Sequence, residues 1–155
     1  MKSIKKIGGF FSSPWKKNFF KLLGETRNLD WIEHKVLRKK FNEPRIHFAI
    51  NCASIGCPAL RPEAYVASRL SAQLEEQTQL FIGDASRNEI RDNQLYISKI
   101  FDWFAQDFEK SHGSVEKFIA AYITKDDEVA QKIRNQKFKI KYTKYDWKLN
   151  EVGGQ

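Results

Sequence analysis

The chain has 155 residues, 41% of them hydrophobic and 14% aromatic, which suffices for a core in one domain spanning 1–155 and excludes a disordered chain. It has no run of about 18 apolar residues, which excludes a membrane-crossing helix. The net charge of +8 lies wholly in the first third: residues 1–45 hold 12 Lys/Arg against 4 Asp/Glu, and residues 46–155 hold 15 of each.

The start, "MKSIKKIGGFFSSPW", is basic, but Gly, Ser and Pro break its apolar stretch and no small-residue cleavage site follows. It is not read as a signal peptide, and the compartment is left undecided. Lys2, Lys5, Lys6, Lys16, Lys17 and Lys21 interleave with Phe10, Phe11, Trp15, Phe19 and Phe20. This reads as a solvated basic face over buried aromatics. No nucleic-acid partner is expected, since no recognised binding motif accompanies the charge.

The first firm element is "NLDWIEHKVLRKKF", a helix capped by Asn28, with Asp30 and Glu33 early and Arg38, Lys39 and Lys40 late. Leu29, Ile32, Val36 and Leu37 share a face, and Pro44 forbids continuation. "RIHFAIN" alternates, with Ile46, Phe48 and Ile50 on one side and His47, Ala49 and Asn51 on the other, and predicts a strand. "ASIGCPALRP" is a loop. A second helix is expected from Ser68 to Ile82, with Leu70, Leu74 and Phe81 inward and Gly83 past its end. "NEIRDNQLYIS" reads as a hairpin turning at Asp92-Asn93. Ser98 caps "KIFDWFAQDFEK", whose Ile100, Phe101, Phe104 and Phe108 form a core-facing stripe. Ser114 caps "VEKFIAAYI", and "DDEVAQKI" is a short helix with acids in its first turn. "KFKIKYT" sets Phe138, Ile140 and Tyr142 against lysines as a strand with one wet face. The predicted fold is α+β: a small, mostly antiparallel sheet packed with several helices.

The chemistry concentrates in "RIHFAINCASIGCPALRPEAY", residues 45–65, which holds both cysteines and His47. No phosphate-binding glycine loop or Gly-x-Ser-x-Gly elbow occurs, and no cofactor is expected. Cys52, Cys57, His47 and His34 could supply four zinc ligands, but the spacing is unlike a known zinc knuckle and no metal site is assigned. A Cys52–Cys57 disulfide would close a tight loop. A nucleophilic cysteine needs a base in reach and a lowered pKa. In an unbroken strand His47 and Cys52 would face opposite sides, so Cys57, past the turn and with Arg61 nearby, is the better exposed thiol. Two inert cysteines around a strand end remain the plainest reading.

The segments "LDWIEHKVLRKKF" and "EPRIHFAINCASIGCPALRPEAY", with the later "ISKIFDWFAQDF" and "YDWKLN", closely resemble the domain-of-unknown-function 547 family across roughly residues 3–150. The resemblance implies a fold similar to papain-like and transglutaminase-like cysteine enzymes. Members are often exported bacterial proteins. It marks His47, Asn51, Cys52, Cys57 and Arg61 as motif positions, with His34 and Arg38 in the preceding helix and Asp146 in the final segment. The family's upstream segment rich in Trp, Asn and Tyr is missing, so the chain is expected to be an N-terminally truncated member.

Two functions follow from different classes, and the concentration of Cys, His, Asn and Arg in one stretch, with the fold that the resemblance implies, favours the first. One is a thiol-dependent site acting on a small peptide, amide or thiol compound, with Cys57 or Cys52 as nucleophile, His47 as base and Asp146 as its orienter. Asn51, Arg61, His34 and Arg38 would then contact the ligand. The other is a non-catalytic module that binds a peptide, a thiol ligand or a protein partner.

Overall fold

A computed structural model describes residues 13–150. The first half of the basic-aromatic stretch, with Lys2, Lys5, Lys6, Phe10 and Phe11, lies outside the described residues. The chain divides into two units. One comprises Met1–Glu43, Cys52–Cys57 and Asp146–Gln155; the other comprises Pro44–Asn51 and Pro58–Tyr145. The class is α+β, as the sequence predicts.

In the first unit, strands β1 (Phe20–Leu22) and β2 (Glu25–Arg27) form an antiparallel hairpin that the sequence does not announce. Its tip places Leu23 at φ 53° and Gly24 at φ 82°. Two left-handed residues in a row match the twist of a two-residue hairpin, where Asn-Gly is the usual pair. Leucine pays a steric cost there, and its side chain is 86% exposed. Leu23→Asn should therefore raise stability by up to about 1 kcal/mol, read as a higher urea midpoint. An unchanged midpoint would mean that the tip carries no strain. Phe19 is exposed, whereas Trp15 and Phe20 are half-buried.

Asn28 caps the next helix as expected: its Oδ1 accepts from the Trp31 N–H at 2.8 Å. The helix runs as α1 (Leu29–Trp31), a π-helical stretch (Ile32–Leu37) and α2 (Arg38–Lys40). Leu29 faces solvent rather than joining Ile32, Val36 and Leu37.

In the second unit, residues 45–51 are not a strand. Pro44–Phe48 is a 3-10 helix, closed by the Ala49 and Ile50 N–H groups on the Ile46 carbonyl. Pro44, His47 and Phe48 turn inward, a spacing of three and four rather than two. Proline suits the first helical position, and no strand pairs with this segment among the described residues. With no strand here, the alternation of a strand does not set Cys52 opposite His47.

Helix α3 (Leu70–Ile82) follows a 3-10 turn at Ala67–Arg69, and Ser68 does not cap it. Leu70 points outward; Gln73, Leu74, Gln77, Thr78, Phe81 and Ile82 are buried. Strands β3 (Glu89–Arg91) and β4 (Gln94–Ile97) form the expected hairpin, with Asp92 and Asn93 at φ 51° and 54°. Buried Asn88 clasps its base, donating to the Phe81 carbonyl (2.7 Å) and accepting from the Ser98 N–H (3.0 Å). The phenyl stripe is split by a break at Phe104 into α4 (Ile100–Trp103) and α5 (Ala105–His112). Helices α6 (Val115–Ile119) and α7 (Asp127–Arg134) are capped by Ser114 and Asp126. Strand β5 (Lys139–Tyr142) pairs parallel with β4, giving the order β3-β4-β5, so one of the three strand pairings departs from antiparallel. Phe48, Phe81, Leu95, Ile97, Phe101, Phe108, Phe118, Ile119 and Ile133 are at the centre of the core. No helix among the described residues is long and apolar enough to cross a membrane.

Candidate functional site

The two cysteines are joined as a Cys52–Cys57 disulfide. The loop that it closes turns at Ala53, φ 60°, with the Cys57 N–H on the Ser54 carbonyl (3.0 Å). Cys57 is buried and Cys52 partly exposed. The Cys52 N–H donates to Cys57 Sγ at 2.9 Å. Fully buried Ser54 sets its hydroxyl 3.3 Å from Cys52 Sγ and 3.5 Å from Cys57 Sγ. Asp146 meets this loop through its backbone: its carbonyl accepts from the Gly56 N–H (2.9 Å), while its carboxylate accepts from the Lys148 N–H (2.9 Å). In the same unit, the Arg38 guanidinium donates to His34 Nδ1 at 3.0 Å. Arginine has no acceptor, so Nδ1 accepts and the His34 proton sits on Nε2, 3.8 Å from the Asp30 carboxylate.

In the second unit His47 is enclosed. Its ring stacks on Phe104 with centroids 3.9 Å apart, and Nε2–H donates to the Asp107 carboxylate at 2.8 Å. The histidine side chain is 1% exposed and the aspartate 21%. Asp107 lies in the first turn of α5, where a negative charge suits the helix dipole. The sequence alone does not single out Asp107. It stands in the "WFAQDF" segment, whose aromatic stripe signals packing. Asn51 Nδ2 donates to the Pro58 carbonyl at 2.7 Å, tying the points where this unit's chain breaks off and resumes.

Arg61 is held by two carboxylates, Glu63 at 2.7 Å and Glu76 at 2.5 Å. Gln73 accepts from the Val66 N–H and donates to the Ala64 carbonyl, both at 2.9 Å, and Gln77 donates to the Ala59 carbonyl at 2.9 Å. These buried glutamines hold the 59–66 segment by its backbone, which gives buried polar groups their partners. Two glutamines four apart on the inward face of α3 were the available signal, and apolar periodicity alone passes over it.

Hydrogen bonds from Arg61, then Arg69 and Gln73, hold the Glu63 carboxyl down at about 2, from an ordinary 4.5. A depressed acid stabilises the fold above its unfolded pKa, and that contribution drains as pH falls from 4.5 towards 2. Glu63→Gln should flatten the loss of stability over this window, measured by urea unfolding at stepped pH. An unchanged acid limb would mean that the cluster contributes nothing to folding.

Among the described residues no group of three or more His, Cys, Asp or Glu is placed to hold a metal. No curated protein and no solved structure matches the chain. The model of a family described as "Protein of unknown function, DUF547" matches residues 1–82, from the first residue to the end of α3, and so spans the His34 helix, the disulfide loop and Arg61. That is more than half of the chain, which therefore belongs to this family.

Proposed function

We propose that the chain is a non-catalytic binding module whose motif residues build and lock its loops. The observation that carries this reading is the Cys52–Cys57 disulfide, which leaves neither sulfur as the thiolate that a cysteine nucleophile requires. The other motif side chains are also committed within their units: His47 to Asp107, Asn51 to the Pro58 carbonyl, Arg61 to Glu63 and Glu76, and His34 to Arg38. Around the clasped 59–66 segment the second unit exposes Leu60, Val66 and Leu70 beside the charged Glu63, Arg69 and Glu76. Such a surface suits a peptide with apolar side chains or a protein partner.

One observation favours a second reading. A histidine oriented by a carboxylate, as His47 is by Asp107, is half of an acid–base site. In that reading the chain is a papain-like or transglutaminase-like enzyme using Cys57 or Cys52 on a small peptide, amide or thiol compound, and the disulfide must first be opened. Alkylation rates of the reduced protein from pH 5 to 9 separate the two. The module reading predicts that Cys52 reacts no faster than an ordinary cysteine of pKa about 8.5, and that Cys57, being buried, reacts more slowly still. One thiol reacting about 100-fold faster at pH 6 would replace it with the enzyme reading.

A further inference from the structure

The loop closed by the disulfide is also the platform for the chain's last described segment. All four residues between the cysteines contact it. The Ile55 N–H donates to the Lys148 carbonyl, the Gly56 N–H to the Asp146 carbonyl, and the Asn150 N–H to the Ala53 carbonyl, each at 2.9 Å, while Ser54 bridges antiparallel to Leu149. The ring formed by the disulfide thus holds four consecutive residues in the one shape that pairs with residues 146–150. A cross-link of this kind acts by limiting the conformations open to the loop.

The two sulfurs are not equivalent. Cys52 is partly exposed, whereas Cys57 is 4% exposed and accepts from the Cys52 N–H at 2.9 Å; the Ser54 hydroxyl lies between the sulfurs, 3.3 Å from Cys52 Sγ and 3.5 Å from Cys57 Sγ. Disulfides exchange by attack of a thiolate on one sulfur, faster when the departing thiolate is stabilised. The reachable sulfur and the stabilised leaving group here are on opposite ends of the same bond.

We propose that Cys52–Cys57 is a reversible thiol–disulfide exchange site that latches residues 146–150, with a dithiol as its reductant. One thiolate of the dithiol attacks Cys52 Sγ. The Cys52–Cys57 bond breaks, and its electron pair leaves on Cys57 Sγ, met by the Cys52 N–H and the Ser54 hydroxyl. The second thiolate then attacks the dithiol's own sulfur in the mixed disulfide and expels Cys52 as a thiolate, which takes its proton from water. Two electrons pass to the protein, and the dithiol ends as a disulfide. The ring opens and the terminal segment loses its template. This goes beyond the module reading and stands independently of what the module binds.

The test uses the whole oxidised protein without denaturant and dithiothreitol as the dithiol, followed by acid quench, alkylation and peptide mass mapping. Dithiothreitol should open the bond in the folded protein, and glutathione should be captured as a mixed disulfide on Cys52. Ser54→Ala should slow opening about three- to tenfold, the effect of one lost hydrogen bond to the leaving sulfur. In the wild type, reduction should speed amide exchange at Ile55, Gly56 and Asn150 at least about tenfold and leave Ile97 unchanged. A bond that opens only in denaturant, glutathione captured on Cys57, or unaltered exchange at Asn150 after reduction would each overturn the proposal.

Discussion

Phe48→Ala is expected to destabilise the chain by about 3–5 kcal/mol, a large part of the roughly 5–15 kcal/mol that holds a domain together. Phe48 has no exposed surface and lies within 5.1–6.1 Å, centroid to centroid, of Phe81, Phe101, Phe108 and Phe118. Those rings come from α3, α4, α5 and α6, so one side chain joins four helices. Truncation removes its burial and leaves a cavity that four aromatic neighbours, each held by others, cannot close. Phe48→Leu should cost much less because it keeps most of the volume. Phe19→Ala is the control: Phe19 is 62% exposed and its loss should stay within about 0.5 kcal/mol. Urea unfolding of the three variants gives the comparison, and equal losses at Phe48 and Phe19 would contradict the position assigned to Phe48.

Asp107→Ala is expected to cost about 1–3 kcal/mol, and Asp107→Asn only a fraction of that. The reason is asymmetric. His47 is buried against Phe104 and cannot swing its Nε2–H into water without unstacking. Removing the carboxylate leaves a buried donor unmet, whereas asparagine still offers an oxygen at the same place. An Asp107→Ala variant as stable as wild type would show that the pair does not hold the fold, and would strengthen the case that this histidine is kept for chemistry.

How far the sequence reaches is clearest where the local signal is chemical. Asn28 and Ser114 each accept from an N–H three residues on, as capping residues do, and Asp92-Asn93 turns as a left-handed pair. Residues 45–51 misled because seven residues of alternation look alike whether a ladder partner exists or not; Pro44 at the first helical position was the contrary sign. The β1–β2 hairpin was hidden by Leu23, which is not a turn former. The pairing of His47 with Asp107 spans 60 residues, and the terminal segment reaches the 53–56 loop from nearly 100 residues away. Such contacts depend on tertiary packing, which periodicity does not encode. The cysteine spacing admitted a disulfide, a thiol, a metal ligand or inert burial, and only the three-dimensional loop brings the two sulfurs to one bond.

Intact mass decides whether the motif is a disulfide-locked loop or a standing thiol site. Protein purified in air without reductant would be treated with excess iodoacetamide, first folded and then in urea, and weighed intact. A disulfide-locked loop takes no label in either state and two labels once reductant precedes the alkylation. A label on Cys57 or Cys52 of the folded protein, with no reductant present, would contradict it.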